Sequence, residues 1–328
     1  MDLSIDLLPH HKRGLLLANP VMTASGTFGN GLEYQKVFDI QRLGAIVSKA
    51  ITVRPRRGNP QPRIAETPAG MINSIGLQNI GIDAILRDVA PVWATWRVPV
   101  IANIAAESVS DYAELARRLD GVPGVSGIEV NISCPNVESG LEFGTDPAAA
   151  AEVTHAVRRV TDLPVIVKLT PSAGDIVGMA RAIADSGADA LTLINTFPAM
   201  RIDIRSRRAA LGWGSGGLSG PALRPIALRM VYQVACAVDI PIIGCGGIAT
   251  GDDAVEMMMA GASAVQVGTA TFLNPTAPRD VLAGIEVFAR EQGLGSISEI
   301  IGAALPGERA AEDADAGRSP AERVRPGR

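Results

Sequence analysis

The chain has 328 residues, of which 47% are hydrophobic and 20% charged, with a formal net charge of −4. That is enough apolar sequence for a full core, too hydrophobic for a disordered chain, and without the basic surplus that a nucleic-acid backbone demands. Its three cysteines form no C-x-x-C pair and two of its three histidines are adjacent, at His10 and His11. A disulfide framework, an iron–sulfur cluster held by this chain alone and a His-rich metal site are therefore excluded.

Met1 to Leu8 carries Asp2 and Asp6 and no long apolar stretch, so no signal peptide is expected and the chain reads as cytoplasmic. The first eighteen residues are expected to form a hairpin. Beyond them, short β-branched runs predict strands at Val21–Ser25, Ala45–Lys49, Val98–Asn103, Gly127–Asn131, Pro164–Lys168, Ala190–Asn195, Pro241–Cys245 and Ala264–Gly268. Amphipathic stretches lie between them at Ile82–Ala94, Val109–Leu119, Pro147–Val160, Ala173–Ser186, Pro221–Val238, Asp252–Ala260 and Ala277–Gln292. The uncharged stretch Met257 to Pro278 is broken by Gly261, Gln266, Gly268, Asn274 and Pro275, which argues against a membrane span.

Near-continuous apolar strands alternating with helices imply a parallel sheet covered by helices. Eight of them fit an α/β fold of the (β/α)8 TIM-barrel type, which needs about 250 residues; a doubly wound sheet is the competing architecture. The N-terminal hairpin would close the end of the barrel away from the functional face. Residues 1–305 are read as one domain. From Pro306 onward the composition turns to Gly, Pro, Ala, Arg and acidic residues, and 306–328 is read as a disordered tail. Two connections, Ile51 to Gly81 and Thr196 to Gly220, are too long for simple loops and follow strand C-termini, the functional face of a barrel.

Polar residues gather where the apolar runs stop. Only four lysines occur, Lys12, Lys36, Lys49 and Lys168, and two of them end predicted strands. A strand-end lysine is ordinarily a solvated rim charge, but here arginine serves the surface. Lys49 and Lys168 are therefore read as cleft ammonium groups. Ser25, Asn103, Asn131, Asn195 and Thr196 fall at equivalent places and would ring a flat polar ligand. The last two strands end in Gly244-Cys-Gly-Gly-Ile248 and Val267-Gly-Thr269, where a barrel usually binds phosphate through backbone N–H groups.

Cys134, in Asn131-Ile-Ser-Cys-Pro-Asn136, sits just past a strand end in a polar loop and is the candidate base. A thiol is within reach of neutral pH when cations or peptide dipoles stabilise its thiolate. The loop that follows, between Gly140 and Gly144, is read as a lid. Cys236 and Cys245 are read as core residues.

Together, NPVMTASGTFGN at 19–30, SKA at 48–50, NSIGLQN at 73–79, NISCPN at 131–136, VKLTP at 167–171, INT at 194–196, GCGG at 244–247 and VGTA at 267–270 resemble dihydroorotate dehydrogenase over about residues 1–302. Cys134, where the membrane-bound class has serine, makes the resemblance one to class 1. The loop NVESGLEFGTDP and the opening SGTFGNGLEY look like its NAD-linked type B catalytic subunit. The resemblance implies FMN, one per chain, and oxidation of (S)-dihydroorotate to orotate in pyrimidine (UMP) biosynthesis. It makes Cys134 the base for the C5 proton while hydride leaves C6 for the flavin, with Lys168 beside the flavin and Lys49 touching flavin and substrate. It also puts Ser25, Ala50, Asn103, Asn131 and Ile194 along the flavin, and Gly220, Gly246, Gly247, Gly268 and Thr269 at its phosphate. Asn73, Ser74, Ile75, Gly76, Leu77, Asn131, Asn195 and Thr196 would bind the pyrimidine. The type B likeness further implies a homodimer joined, in a heterotetramer, to an electron-transfer subunit carrying FAD and a [2Fe-2S] cluster, with NAD+ as final acceptor. The alternatives are a fumarate-linked class 1A enzyme, a related dihydropyrimidine dehydrogenase, and a flavin-free barrel lyase or isomerase.

Overall fold

Strands built from Val, Ile, Leu and Ala on both faces can be covered only when helices flank a parallel sheet. In chain order the strands are β1 (Ile5–Asp6), β2 (Leu16–Leu17), β3 (Val21–Thr23), β4 (Ile46–Val47), β5 (Ile64–Thr67), β6 (Gly70–Asn73), β7 (Val100–Ile104), β8 (Val125–Asn131), β9 (Val165–Leu169), β10 (Ala190–Leu193), β11 (Phe197–Ala199), β12 (Ile202–Asp203), β13 (Arg208–Ala209), β14 (Gly216–Ser219), β15 (Ile242–Cys245) and β16 (Ala264–Val267). The computed structural model describes residues 1–133 and 143–306, so Cys134, the predicted lid up to residue 142 and the tail from residue 307 lie outside the described residues.

One eight-stranded parallel sheet runs in the order β3-β16-β15-β10-β9-β8-β7-β4. A parallel bridge between Met22 and Ala45, with the Val47 N–H donating to Thr23 Oγ1 at 3.0 Å, brings β3 to β4 and rolls the sheet into a barrel. That closure rules out the doubly wound arrangement. Every residue of β3, β4, β7, β9, β10, β15 and β16 is buried. All eight predicted strands are present, most of them a residue or two shorter than predicted.

The helices are α1 (Gly81–Ala84), α2 (Ala90–Trp93), α3 (Val109–Leu119), α4 (Pro147–Arg158), α5 (Ile176–Asp185), α6 (Arg224–Ala235), α7 (Gly251–Met259), α8 (Ala270–Leu273) and α9 (Ala277–Glu291). Side-chain caps set several of their starts: Ser108 accepts from the Asp111 N–H, Asp175 from the Gly178 N–H, and Thr250 with Asp253 forms a capping box on α7. The Asp175 cap explains why α5 begins after the predicted Ala173. The single helix predicted over Ile82–Ala94 is divided, with a π-helical stretch at Ile85–Val89 between α1 and α2. Pro91, lacking an N–H, removes the regular bond just after that stretch. No helix among the described residues is long and apolar enough to cross a membrane.

β1 and β2 pair antiparallel, as the predicted N-terminal hairpin. Its charges reach the segments that precede barrel strands: Lys12 pairs with Asp162, Arg13 with Asp120 at 3.4 Å, and His11 lies 3.8 Å from Asp189. The hairpin therefore caps the N-terminal end of the barrel. At the other end the two long connections, read only as insertions, join each other. Their strands form a four-stranded antiparallel sheet in the order β11-β14-β6-β5, with β12 and β13 as a separate hairpin.

Candidate active site

The C-terminal ends of the barrel strands and the insertion sheet enclose a cavity of about 770 Å³, within the roughly 300–1,000 Å³ usual for small-molecule sites. The β3 end contributes Ser25 to its wall, and the segment after β4 contributes Lys49 and Ala50. From β8 come Asn131 and Ser133, from β9 Lys168, and from the β10 end Ile194, Asn195 and Thr196. The insertions add Asn73, Ile75, Gly76, Leu77 and Gly220, while Cys245, Gly246, Gly247, Gly268 and Thr269 follow from β15 and β16. Residues far apart in sequence thus meet because parallel strands all end on one face.

Two predicted site residues are not on that wall. Ser74 is fully buried, its hydroxyl accepting from Asn59 Nδ2 at 3.0 Å. Asn103 is fully buried inside the barrel, donating from Nδ2 to Glu129 at 2.7 Å. Cys134 lies outside the described residues, although its neighbour Ser133 borders the cavity. Cys245 is buried as expected and also faces the cavity, whereas Cys236 is exposed, correcting its reading as core. The cause is its place at the C-cap of α6, beyond Val231 and Val234, which make that helix's buried face.

The two lysines differ in surroundings. Lys49 has no acceptor for its ammonium among the described residues, and burial pushes its pKa below the ordinary 10.5. Lys168, inside β9 rather than at its end, donates to Gln266 Oε1 at 3.0 Å and to Cys245 Sγ at 3.6 Å. Burial acts to lower its pKa, while the thiolate form of Cys245 and the nearby Glu129 carboxylate act to raise it, with the net direction upward when both are charged. Burial pushes the Cys245 thiol up, and the ion-pair partner of Lys168 is Glu129, 4.0 Å away.

The amides are arranged by one another. Asn131 Oδ1 accepts from the Ser133 N–H at 3.1 Å and from Asn195 Nδ2 at 3.2 Å, and Asn195 Oδ1 accepts from the Thr196 N–H at 2.8 Å. Asn73 donates from Nδ2 to the Gly217 carbonyl at 3.3 Å across the insertion sheet. Thr269 Oγ1 donates to Ser219 Oγ at 2.8 Å.

The glycines after β15 have backbone conformations that other residues rarely adopt. Gly246 and Gly247 have φ of +138° and +75°. A Cβ at Gly247 would lie 2.7 Å from the Arg224 backbone nitrogen, and one at Gly246 would lie 2.8 Å from Ala227 Cβ.

These features suit FMN. The cavity has the size, the glycine turns let backbone approach a phosphate, and two ammonium groups with ranked amides suit a flat anionic ring system. The Ser133 hydroxyl is buried at this wall with no partner among the described residues.

What the sequence reading missed is the polar interior beneath this wall: Glu129, Thr192 and Gln266, all buried within apolar strands. A charged residue in the run Gly127-Ile-Glu-Val-Asn131 was the available signal, because such a residue is almost never buried unpaired.

Comparison with known proteins agrees with this architecture. Residues 8–288 match the family model described as dihydroorotate dehydrogenase. The chain is 56% identical over 292 residues to a protein of Desulforudis audaxviator named "Dihydroorotate dehydrogenase B (NAD(+)), catalytic subunit", covering 89% of this chain and 95% of that one. Proteins of the same name from Geotalea uraniireducens and Geobacter sulfurreducens are 52% and 54% identical over 305 and 303 residues, covering 93% and 92% of this chain and 98% of each relative. Among solved structures, a dihydroorotate dehydrogenase from Eimeria tenella in complex with ferulenol superposes with a TM-score of 0.76 at 24% identity, covering 92% of this chain and 88% of that one, a likeness of fold. With a barrel of this kind and relatives this similar over nearly its whole length, the chain belongs to the dihydroorotate dehydrogenase family.

Proposed function

We propose that this chain is the catalytic subunit of an NAD+-linked enzyme that oxidises (S)-dihydroorotate to orotate in cytoplasmic pyrimidine biosynthesis. The observation that carries the reading is the meeting of Lys49, Lys168, Asn131 and Asn195 with the glycine turns after β15 and β16 on one cavity. FMN bound there would supply the acceptor for the hydride that leaves substrate C6.

The chain's own residues do the rest. Gly220, Gly246, Gly247, Gly268 and Thr269 hold the cofactor phosphate, and Ser25, Ala50, Asn131 and Ile194 line its ring. Asn103 supports that lining from inside the barrel. Lys168, paired with Glu129, would set a positive charge beside the ring and so favour its reduced, anionic form. Lys49, an ammonium without a countercharge among the described residues, fits the substrate carboxylate and the flavin edge. Asn73, Ile75, Gly76, Leu77, Asn195 and Thr196 orient the pyrimidine, with Ser74 fixing that segment through Asn59. Cys134, next in the chain to Ser133 of the cavity wall, takes the C5 proton.

The relatives' designation as catalytic subunits supports a partner. In this reading the partner carries FAD and a [2Fe-2S] cluster and delivers electrons to NAD+, in a heterotetramer built on a dimer of this chain. Dye-linked turnover tests the substrate assignment: dihydroorotate should be oxidised and dihydrouracil should not. Preference for dihydrouracil would overturn the assignment, and efficient NAD+ reduction by the isolated chain would overturn the partner.

A further inference from the structure

The barrel interior holds a buried polar chain that ends at Lys168. Glu129, on β8 and fully buried, accepts three hydrogen bonds: from Asn103 Nδ2 at 2.7 Å, Thr192 Oγ1 at 2.9 Å and Gln266 Nε2 at 2.6 Å. The strand register makes this arrangement possible, pairing Asn103 with Glu129 across β7 and β8, and Cys245 with Gln266 across β15 and β16. Gln266 uses both ends of its amide: Nε2 donates to Glu129, which leaves Oε1 facing Lys168 Nζ at 3.0 Å. A side-chain amide has one donor end and one acceptor end, so the group at one end dictates what the other presents. A carboxylate at position 129 can only accept from Gln266, and Lys168 is thereby met by an oxygen.

We infer that Glu129, acting through Gln266 and by its own charge at 4.0 Å, is the positioning residue that keeps the Lys168 ammonium charged and aimed at the cavity. Glu129 does not line the cavity and touches neither substrate nor cofactor in this account. The titratable groups facing Lys168 are Glu129 from β8 and Cys245 from β15, with Lys49 elsewhere on the cavity wall. Burial holds Cys245 as a thiol at neutral pH, so it supplies no countercharge there. Burial alone would neutralise a lysine in such a place, and an opposite charge within about 4–6 Å opposes that. The catalytic meaning of the inference rests on the role proposed for Lys168; the electrostatic linkage itself does not.

The composition makes a direct test practical. With four lysines in the chain, 13C-lysine labelling gives four side-chain signals, assignable by single Lys→Arg variants. The full chain without added FMN would be titrated by NMR as wild type, Glu129→Gln and Gln266→Leu. Lys168 should titrate about 1–3 pH units lower in Glu129→Gln than in the wild type. Gln266→Leu should shift it in the same direction by less, since Glu129 stays near. Unmoved Lys12 and Lys36 signals would show that the fold survives, and should Glu129→Gln not fold, Gln266→Leu decides alone. A Lys168 titration unchanged by either substitution overturns the inference.

A second readout separates this from the functional reading. In the FMN-loaded chain the alkaline limb of dihydroorotate-driven flavin bleaching should move down with the Lys168 titration. Failure of the wild type to bind FMN would sink the proposed function while leaving the NMR result to judge the linkage.

Discussion

The two ends of the barrel treat charge in opposite ways. At the N-terminal end, charges meet partners at the surface: Lys12 with Asp162, Arg13 with Asp120, and Arg158 with Asp189 at 2.8 Å. Asp189 also accepts from the Val165 N–H at 2.7 Å and Asp120 from Thr161 Oγ1 at 2.9 Å, so these carboxylates tie loops together. At the C-terminal end Lys49 is half-buried without an acceptor and the Ser133 hydroxyl buried without a partner, among the described residues. Buried polar groups are normally satisfied, so groups left unpaired around a cavity mark where a ligand completes the structure. One end is finished by the chain itself; the other, in the function proposed, is finished by what binds.

Substitutions at the open end should therefore change chemistry and binding, and those at the closed end should not. The largest effect is expected for Cys134→Ala: flavin reduction by dihydroorotate should slow by about 10²–10⁴-fold in stopped-flow, the usual range for loss of a general base, with FMN still bound. Lys49→Met should come next. Orotate binding, followed by spectral titration, should weaken by about 1.5–3 kcal/mol, the worth of a hydrogen bond to a charged group. In the wild type the same affinity should be present at neutral pH and lost as pH rises through the Lys49 pKa. Because burial lowers that pKa, the loss should begin below the ordinary lysine value of 10.5.

A smaller effect is expected for Gly247→Ala, which puts a side chain at φ +75° and 2.7 Å from the Arg224 nitrogen. It should lower FMN affinity and cost about 1–3 kcal/mol of stability, measured by cofactor titration and thermal melting. The smallest is Lys12→Gln at the closed end. It removes an exposed ion pair and should leave melting temperature and orotate affinity unchanged within error. A measurable loss of orotate affinity there would break the division between the two ends.

Much of this is legible in the sequence, and the reasons are physical. The barrel strands could be read because burial on both faces writes near-continuous apolar runs such as Val165-Ile-Val-Lys-Leu169. The polar residues at their ends stood out against those runs. The insertion sheet could not be read. Its strands are four residues or fewer, and Gly70, Gly216, Gly217 and Pro198 give them no strand signature. Those strands exist because β14 meets β6 across the cavity mouth, a pairing of segments about 145 residues apart that no local pattern encodes. Glu129, Thr192 and Gln266 were visible as polar residues in apolar strands. Only the folded arrangement shows that Thr192 and Gln266 converge on the Glu129 carboxylate and that Gln266 links it to Lys168.

The most direct test of the central claim is a visible spectrum of the purified chain, reconstituted with FMN under oxygen exclusion, before and after dihydroorotate is added. The account predicts a bound flavin band that bleaches on addition. A chain that takes up no FMN, or whose bound flavin ignores dihydroorotate, would contradict it.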